Sequence, residues 1–345
     1  MFRLLLSAGF VLGLAALVQA DEILLIPNAT FKAAGGRIRG QITSESPSEV
    51  KIKPAAGADQ TVPVDQIASV AYDGAGQIYE QAEIKENTGQ LAEAAELFKK
   101  AAAENTAKKF IAGTAKFRRA NILTDVALAS PGKSKEATTE LESYVQTYPD
   151  GRFLGAALES LIRLDLLVGD VDKAQKALVQ FKEKVPNSAD RVIILEAKIL
   201  TKTGKFDEAI AGLDKAIDTA KGTPKAREAK LVKAEALVAQ KKYDNALATV
   251  QEVIKESPPE AADIQAVAHN TLGDCYRAAG KPKEALMAYL QTDILFDKDK
   301  EQHPRALAMI EQIFRELKID ARADEVHDRL KQLYPQSPYL TRAAK

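Results

Sequence analysis

Hydrophobic and polar positions follow two different rhythms along the chain, with the change near residue 74. Between Asp21 and Asp73 short alternating or apolar runs recur: Glu22–Ile26, Arg37–Thr43, Glu49–Lys53, Thr61–Val64 and Ile67–Tyr72. Gly35-Gly36, Ser46-Pro47-Ser48, Ala55–Gln60 and Pro63 separate them. Strand-length runs punctuated by turn residues predict a small all-β module, a barrel or a sheet, over 21–73. So short a segment makes a marginal core, and the module is expected to lean on the helices that follow. From Gly74 to Lys345 the chain is rich in Ala, Leu, Lys and Glu and reads as helix.

The helical part repeats itself. The pattern Gly-x-x-x-Glu-Ala runs Gly89 to Ala94, Gly132 to Ala137, Gly204 to Ala209 and Gly280 to Ala285. A looser copy runs Gly169 to Ala174, and copies with lysine in the glycine position run Lys241 to Ala246 and Lys318 to Ala323. Successive anchor alanines lie 43, 37, 35, 37, 39 and 38 residues apart. That period is the length of one helix–turn–helix unit, so about seven helix pairs are expected to stack as a mainly α solenoid. In each unit glycine would end the first helix in a left-handed conformation. The small alanine would let the second helix approach the first, and a residue such as Asp207 would cap it. Pro149, Pro186, Pro258 and Pro335 each lie twelve residues beyond an anchor alanine, and Pro224 lies fifteen beyond. Proline at that offset stops the second helix.

The sixth unit carries Leu272-Gly273-x-x-Tyr276 in its first helix, then Ala285 and Tyr289. Phe98, Leu141, Leu178, Leu213 and Val250 fill the slot of Tyr289 elsewhere. These residues resemble the tetratricopeptide repeat family, which implies an α-solenoid that binds proteins or peptides on its concave face. The tryptophan common early in the family's first helix is replaced by His269 in unit six, and the glycine at Gly273 occurs in one unit only. Gly36–Ile42, Ser44–Ser46, Val50–Ile52 and Val62–Ile67 resemble the N-terminal β module of exported repeat proteins common in planctomycete bacteria. The endings Tyr148-Pro149-Asp150-Gly151 and Tyr334-Pro335-Gln336-Ser337-Pro338-Tyr339 resemble periplasmic repeat proteins of outer-membrane assembly or division. These resemblances imply a cell-envelope compartment and a scaffold role.

The N-terminus agrees with export. Arg3, the apolar run Leu4–Val18 and Val18-Gln19-Ala20 read as a secretory signal peptide over 1–20, with Asp21 as the first mature residue. The run falls short of the roughly 20 residues that span a bilayer. No cysteine stands at position 21 for a lipid anchor, and no stable membrane insertion is expected after cleavage. Lys and Arg number 48, as do Asp and Glu, and the two signs are interspersed, which argues against a nucleic-acid partner.

Candidate chemistry is sparse. The one cysteine, Cys275, sits inside a repeat helix and reads as a packed thiol. His269, His303 and His327 show no metal-ligand spacing, and no metal or cofactor is expected. His303, before Pro304, is expected to be extended at a helix start. Asp297–Glu301 lacks the glycine and the twelfth-position glutamate of a calcium loop and reads as a solvated linker. Asn28-Ala29-Thr30 matches a glycosylation acceptor, a pattern frequent by chance. No nucleophile elbow, phosphate loop or dinucleotide fingerprint occurs, so the expectation is not an enzyme.

Counting back eleven residues from each anchor alanine reaches helix positions that the family resemblance places on the concave face. They are Glu83, Val126, Arg163, Lys198, Glu235, Asp274 and Gln312, with Asn270 and Arg277 added by offsets of fifteen and eight. Their mixed signs predict a protein or peptide read by individual polar contacts. The expectation is therefore an exported scaffold in envelope assembly or organisation. Two alternatives remain beside it: a self-associating structural envelope protein, and a regulatory subunit of an envelope enzyme or transporter.

Overall fold

The computed structural model describes residues 20–341 apart from 28, 107 and 336. The expected signal peptide, but for Ala20, and Asn28 of the glycosylation pattern lie outside the described residues. The chain divides into two compact units: residues up to Ser44 together with Val50–Gly74, and Glu45–Glu49 together with Ala75–Lys345.

The N-terminal unit is built on a five-stranded sheet: β1 (Asp21–Leu25), β2 (Arg37–Glu45), β3 (Glu49–Lys53), β4 (Gln60–Pro63) and β5 (Ile67–Ala71). Their spatial order is β4-β3-β2-β1-β5, with β1 antiparallel to both β2 and β5. Alternation follows from the pleat, which sends successive side chains to opposite faces. Ile38 and Ile42 on β2, Val50 and Ile52 on β3, Val62 on β4 and Val70 on β5 are buried, and their polar neighbours are not. Gly40 is required by a close approach, since a Cβ there would meet the Lys53 carbonyl oxygen at 2.3 Å. The Asp21 carboxylate ties two strands' ends together by accepting from the Ile42 amide at 2.7 Å and the Asp73 amide at 2.9 Å.

Among its described residues the second unit contains fourteen α-helices in seven pairs. The first helices of the pairs are α1 (Gln77–Asn87), α3 (Lys109–Ala129), α5 (Leu154–Val168), α7 (Ala189–Lys202), α9 (Pro224–Ala239), α11 (Ala262–Ala278) and α13 (Gln302–Glu316). The second helices are α2 (Leu91–Glu104), α4 (Ser134–Thr147), α6 (Val171–Lys184), α8 (Phe206–Thr219), α10 (Tyr243–Glu256), α12 (Pro282–Leu295) and α14 (Asp320–Leu333). All seven anchor alanines, from Ala94 to Ala323, have no exposed surface. The Phe98–Tyr289 slot is likewise buried in every unit where it was assigned. Apolar clusters overlap from α3 to α14, each shared by successive helices, so the core is relayed along the array rather than gathered at one centre.

The turns follow the expected logic at most positions. Gly89, Gly169, Gly204 and Gly280 have positive φ between 71° and 85°. Lys241 and Lys318 occupy the same left-handed region, at φ of 63° and 59°. Gly132 departs from the pattern: it lies in a 3₁₀ turn, Pro131–Lys133, where the longer second unit makes its connection without a left-handed residue. Asp207 does not cap α8. Lys205 precedes the helix, and Asp207, within the first turn, accepts from the Gln240 side chain at 2.9 Å. Capping by side chain occurs instead at Asp170 on α6 and Thr223 on α9. Four prolines follow the ends of α4, α6, α10 and α14, whereas Pro224 opens α9, where its missing N–H is harmless. His303 is helical rather than extended, because Asp299 Oδ1 accepts from the Glu301 and Gln302 amides and starts α13 before Pro304.

Candidate functional site

The solenoid curves until its ends meet. Lys300, before α13, donates to the carbonyl oxygen of Asn87, at the end of α1, at 2.7 Å. The segment after α14 reaches α3, where the Ser130 hydroxyl donates to the Pro338 carbonyl oxygen at 3.5 Å. Inside this curve lies a cavity of about 910 Å³, with walls from α1, α3, α5, α9, α11, α13 and the C-terminal segment. First helices of the pairs therefore form the concave wall, and their polar residues decide what the site can do.

Many charges on the first helices, within the wall and beside it, are engaged with the neighbouring repeat. Arg118 on α3 bridges Glu83 and Glu86 on α1, and Arg191 on α7 bridges Glu159 on α5 and Glu228 on α9. Arg277 on α11 donates to Gln312 at 3.2 Å and Glu316 at 2.6 Å on α13, while Asp274 accepts from Arg305. These clasps join residues about one repeat apart and hold the repeat-to-repeat register.

The residues selected from the sequence separate accordingly. Arg163, Glu235, Asp274, Arg277 and Gln312 line the cavity. Asp274 and Arg277 line it as members of clasps. Asp274 also accepts from the Tyr289 hydroxyl at 2.6 Å. Arg163 and Glu235 are exposed to the groove and have no ion pair or hydrogen bond among the described residues. Lys198 is half-buried and outside the cavity wall. Asn270 does not present its side chain to the groove: it is fully buried, and its amide donates to the Gln302 carbonyl and side-chain oxygens at 3.0 Å each. Glu83 is spent on Arg118.

Sequence reasoning missed Asp125, Lys300, Glu301 and Arg305, all in the wall. Asp125 is one residue before the selected Val126; the extra residues of the second unit displace its helix by one position. Asp125 is open to water in the groove but ringed by protein. Burial, reinforced by Glu301 and Glu86 and opposed by Arg163, pushes its carboxyl up to about 6. The C-terminal segment lies beyond the last repeat, where counting from anchor alanines has no purchase.

Elsewhere the chemistry is structural. Cys275 is 1% exposed, and burial pushes its thiol up to about 12, so it packs as a small apolar group. His269 stacks at a tilt on Phe296 with ring centroids 5.9 Å apart, and burial lowers its pKa. His303 is buried between the Tyr334 hydroxyl and Asp293, at 2.8 Å from each. Burial alone would raise the Asp293 carboxyl, but hydrogen bonds from His303 and Arg329 outweigh it and hold it low. Among the described residues no group of three or more His, Cys, Asp or Glu side chains is placed to hold a metal ion.

A curved wall of paired helices around a polar groove defines a helical repeat solenoid. Residues 156–310 match the profile of the tetratricopeptide repeat-like domain, a span that covers α6 to α12 whole and parts of α5 and α13. Among solved structures the chain is similar to a Rap protein complexed with competence and sporulation factor: 15% identity, 77% of this chain and 78% of that one, TM-score 0.50. A tetratricopeptide repeat protein from Parabacteroides merdae ATCC 43184 is 15% identical over 78% of this chain and 100% of its own, with a TM-score of 0.43. PilW, a type IV pilus biogenesis factor, is 19% identical over 66% of this chain and 98% of its own, with a TM-score of 0.40. No curated protein matches at the level of sequence.

Proposed function

We propose that this chain is an exported, non-enzymatic scaffold that holds an extended segment of a protein or peptide partner in the groove of its repeat array, in the assembly or organisation of the cell envelope. The observation that carries the reading is the cavity of about 910 Å³ on the concave wall, where Arg163 and Glu235 have no ion pair or hydrogen bond among the described residues while Asp274 and Arg277 are clasped. A groove of that size admits a short extended segment, and charges of both signs select it by individual contacts rather than by one field. The Rap protein that shares the fold was solved with competence and sporulation factor, which supports the same use of the curve. Export rests on the sequence of residues 1–20; among the described residues no helix is long and apolar enough to cross a membrane. Photo-crosslinking tests the site. A crosslinker at Glu235 is expected to capture a partner in native envelope extract, and one at the outward Met287 is not. Capture from Met287 with none from Glu235 would move the site to the outer face.

A further inference from the structure

The groove is not empty along its whole length. After α14 the chain turns back over α13 instead of running into solvent. Tyr334, Tyr339 and Leu340 pack against the apolar cluster that α12, α13 and α14 share. Ser337, Pro338, Tyr339 and Leu340 are each half-buried. The turn is fixed locally, since the Leu340 amide donates to the Ser337 carbonyl at 3.2 Å and the Tyr339 amide to the Ser337 hydroxyl at 3.3 Å. At its root Tyr334 is held by His303, which Asp293 holds in turn. Within the turn the Pro338 carbonyl oxygen accepts from the hydroxyl of Ser130, the residue that follows α3. The segment therefore bridges the second repeat and the seventh across one side of the cavity, and Ser337, Pro338 and Tyr339 form part of the wall.

Two properties mark this segment as a replaceable occupant rather than another layer of core. Its described residues carry no charge and form no part of a helix pair, so removing it leaves every seam between helices intact. Its backbone is proline-broken, which keeps it from continuing α14. An attached segment also acts at an effective concentration in about the millimolar range, so it excludes weak ligands without binding tightly itself.

We propose that residues 337–340 are an intramolecular strap across the groove, and that the partner enters by displacing it with an extended, uncharged, proline-broken segment bearing aromatic and aliphatic side chains. The proposal rests on the reading of the groove as the binding site, and it adds what the partner must resemble and what it must compete with. Displacement would free the Ser130 side of the groove while the clasps on α11 and α13 stay closed.

The test uses the full chain and a labelled synthetic peptide of the strap's own sequence, residues 333–341. A Tyr339→Ala/Leu340→Ala variant, with its strap loosened, is expected to bind the peptide at least tenfold tighter than the wild-type chain in fluorescence anisotropy. On the wild-type chain, excess unlabelled peptide is expected to speed chymotryptic cleavage after Tyr339 and Leu340, because the displaced strap becomes accessible. This second arm needs no substitution. Equal peptide binding by both chains, or cleavage indifferent to the peptide, overturns the strap. Neither result touches the photo-crosslinks from Glu235, which stand or fall with the groove itself.

Discussion

The seam between paired helices and the wall of the groove are built from the same helices, yet they obey opposite rules. Along the seam the repeats are alike: an alanine with no exposed surface in all seven and, in the first six, one buried larger side chain four residues on, the slot that His327 fills in the seventh. Position twelve before the anchor is small where the helices cross closely, as at Ala82, Ala197, Ala234 and Gly273. Gly273 shows why. A Cβ there would meet the Tyr289 ring at 2.6 Å, so the glycine goes with the one tyrosine in that slot. Along the groove the repeats differ, and the clasps that join α1 to α3, α5 to α7, α7 to α9 and α11 to α13 differ in composition. Packing repeats because the same steric problem recurs in each unit. On the proposed function the groove need not repeat, because a partner's residues differ along its length.

The contrast can be broken most forcefully at the seam. Phe98→Ala is expected to destabilise by about 3–5 kcal/mol, as truncations of buried aromatics do. Because repeat arrays unfold in parts, the loss should appear first in hydrogen exchange of α1–α3, ahead of the denaturant midpoint of the whole chain. A uniform loss of protection across all helices would contradict a relayed core.

The buried polar chain behind the strap ranks next. Asp293→Ala leaves His303 and Arg329 without their shared carboxylate and is expected to cost about 1–3 kcal/mol. The native carboxyl is held below its ordinary value of 3.8, so its contribution is present above that pH and fades as pH falls through the lower native value. Urea midpoints between pH 2 and pH 6 should show the wild type converging on the variant at the acid end. Parallel curves would place the effect elsewhere.

Turns between paired helices offer a smaller effect of the opposite sign. Lys241→Gly and Lys318→Gly relieve a left-handed backbone at a β-carbon and should each stabilise by about 1 kcal/mol, measured by urea unfolding. Gly169→Ala, at φ of 85°, should destabilise instead. If lysine and glycine proved equivalent at these sites, the account of the degenerate repeats would be wrong.

In the groove, Asp125 changes the pH dependence more than the stability. Its carboxyl is raised from 3.8 to about 6, so the folded chain holds that proton more tightly than the unfolded one. Stability from this group is full below about pH 4 and declines until about pH 6, then levels off. Asp125→Asn should remove that decline. Stability curves that keep it would show that another group titrates.

Much of the architecture was legible from the sequence because it rests on local, repeated causes. The five strands, the helix pairs and the left-handed lysines follow from alternation and from one motif. The errors came where a repeat met something outside itself. Asp207 turned to Gln240 in the next unit, Asn270 was drawn inward by Gln302, and the longer second unit moved Asp125 into the wall. Contacts between the ends, such as Lys300 with Asn87, depend on accumulated curvature that no single unit encodes. Position on the cavity wall was readable for Arg163, Glu235, Asp274, Arg277 and Gln312 but not for Lys198 or Asn270, and whether a charge there was already clasped was not.

On the proposed function, binding belongs to the groove charges that form no ion pair, Arg163 and Glu235, and stability to the seam. Arg163→Ala/Glu235→Ala tests it directly, with partner capture from envelope extract and urea unfolding measured on the same preparation. Capture is expected to be lost with stability unchanged within about 0.5 kcal/mol, as for surface substitutions away from structural contacts. Undiminished capture at wild-type stability would contradict it and take recognition away from the groove.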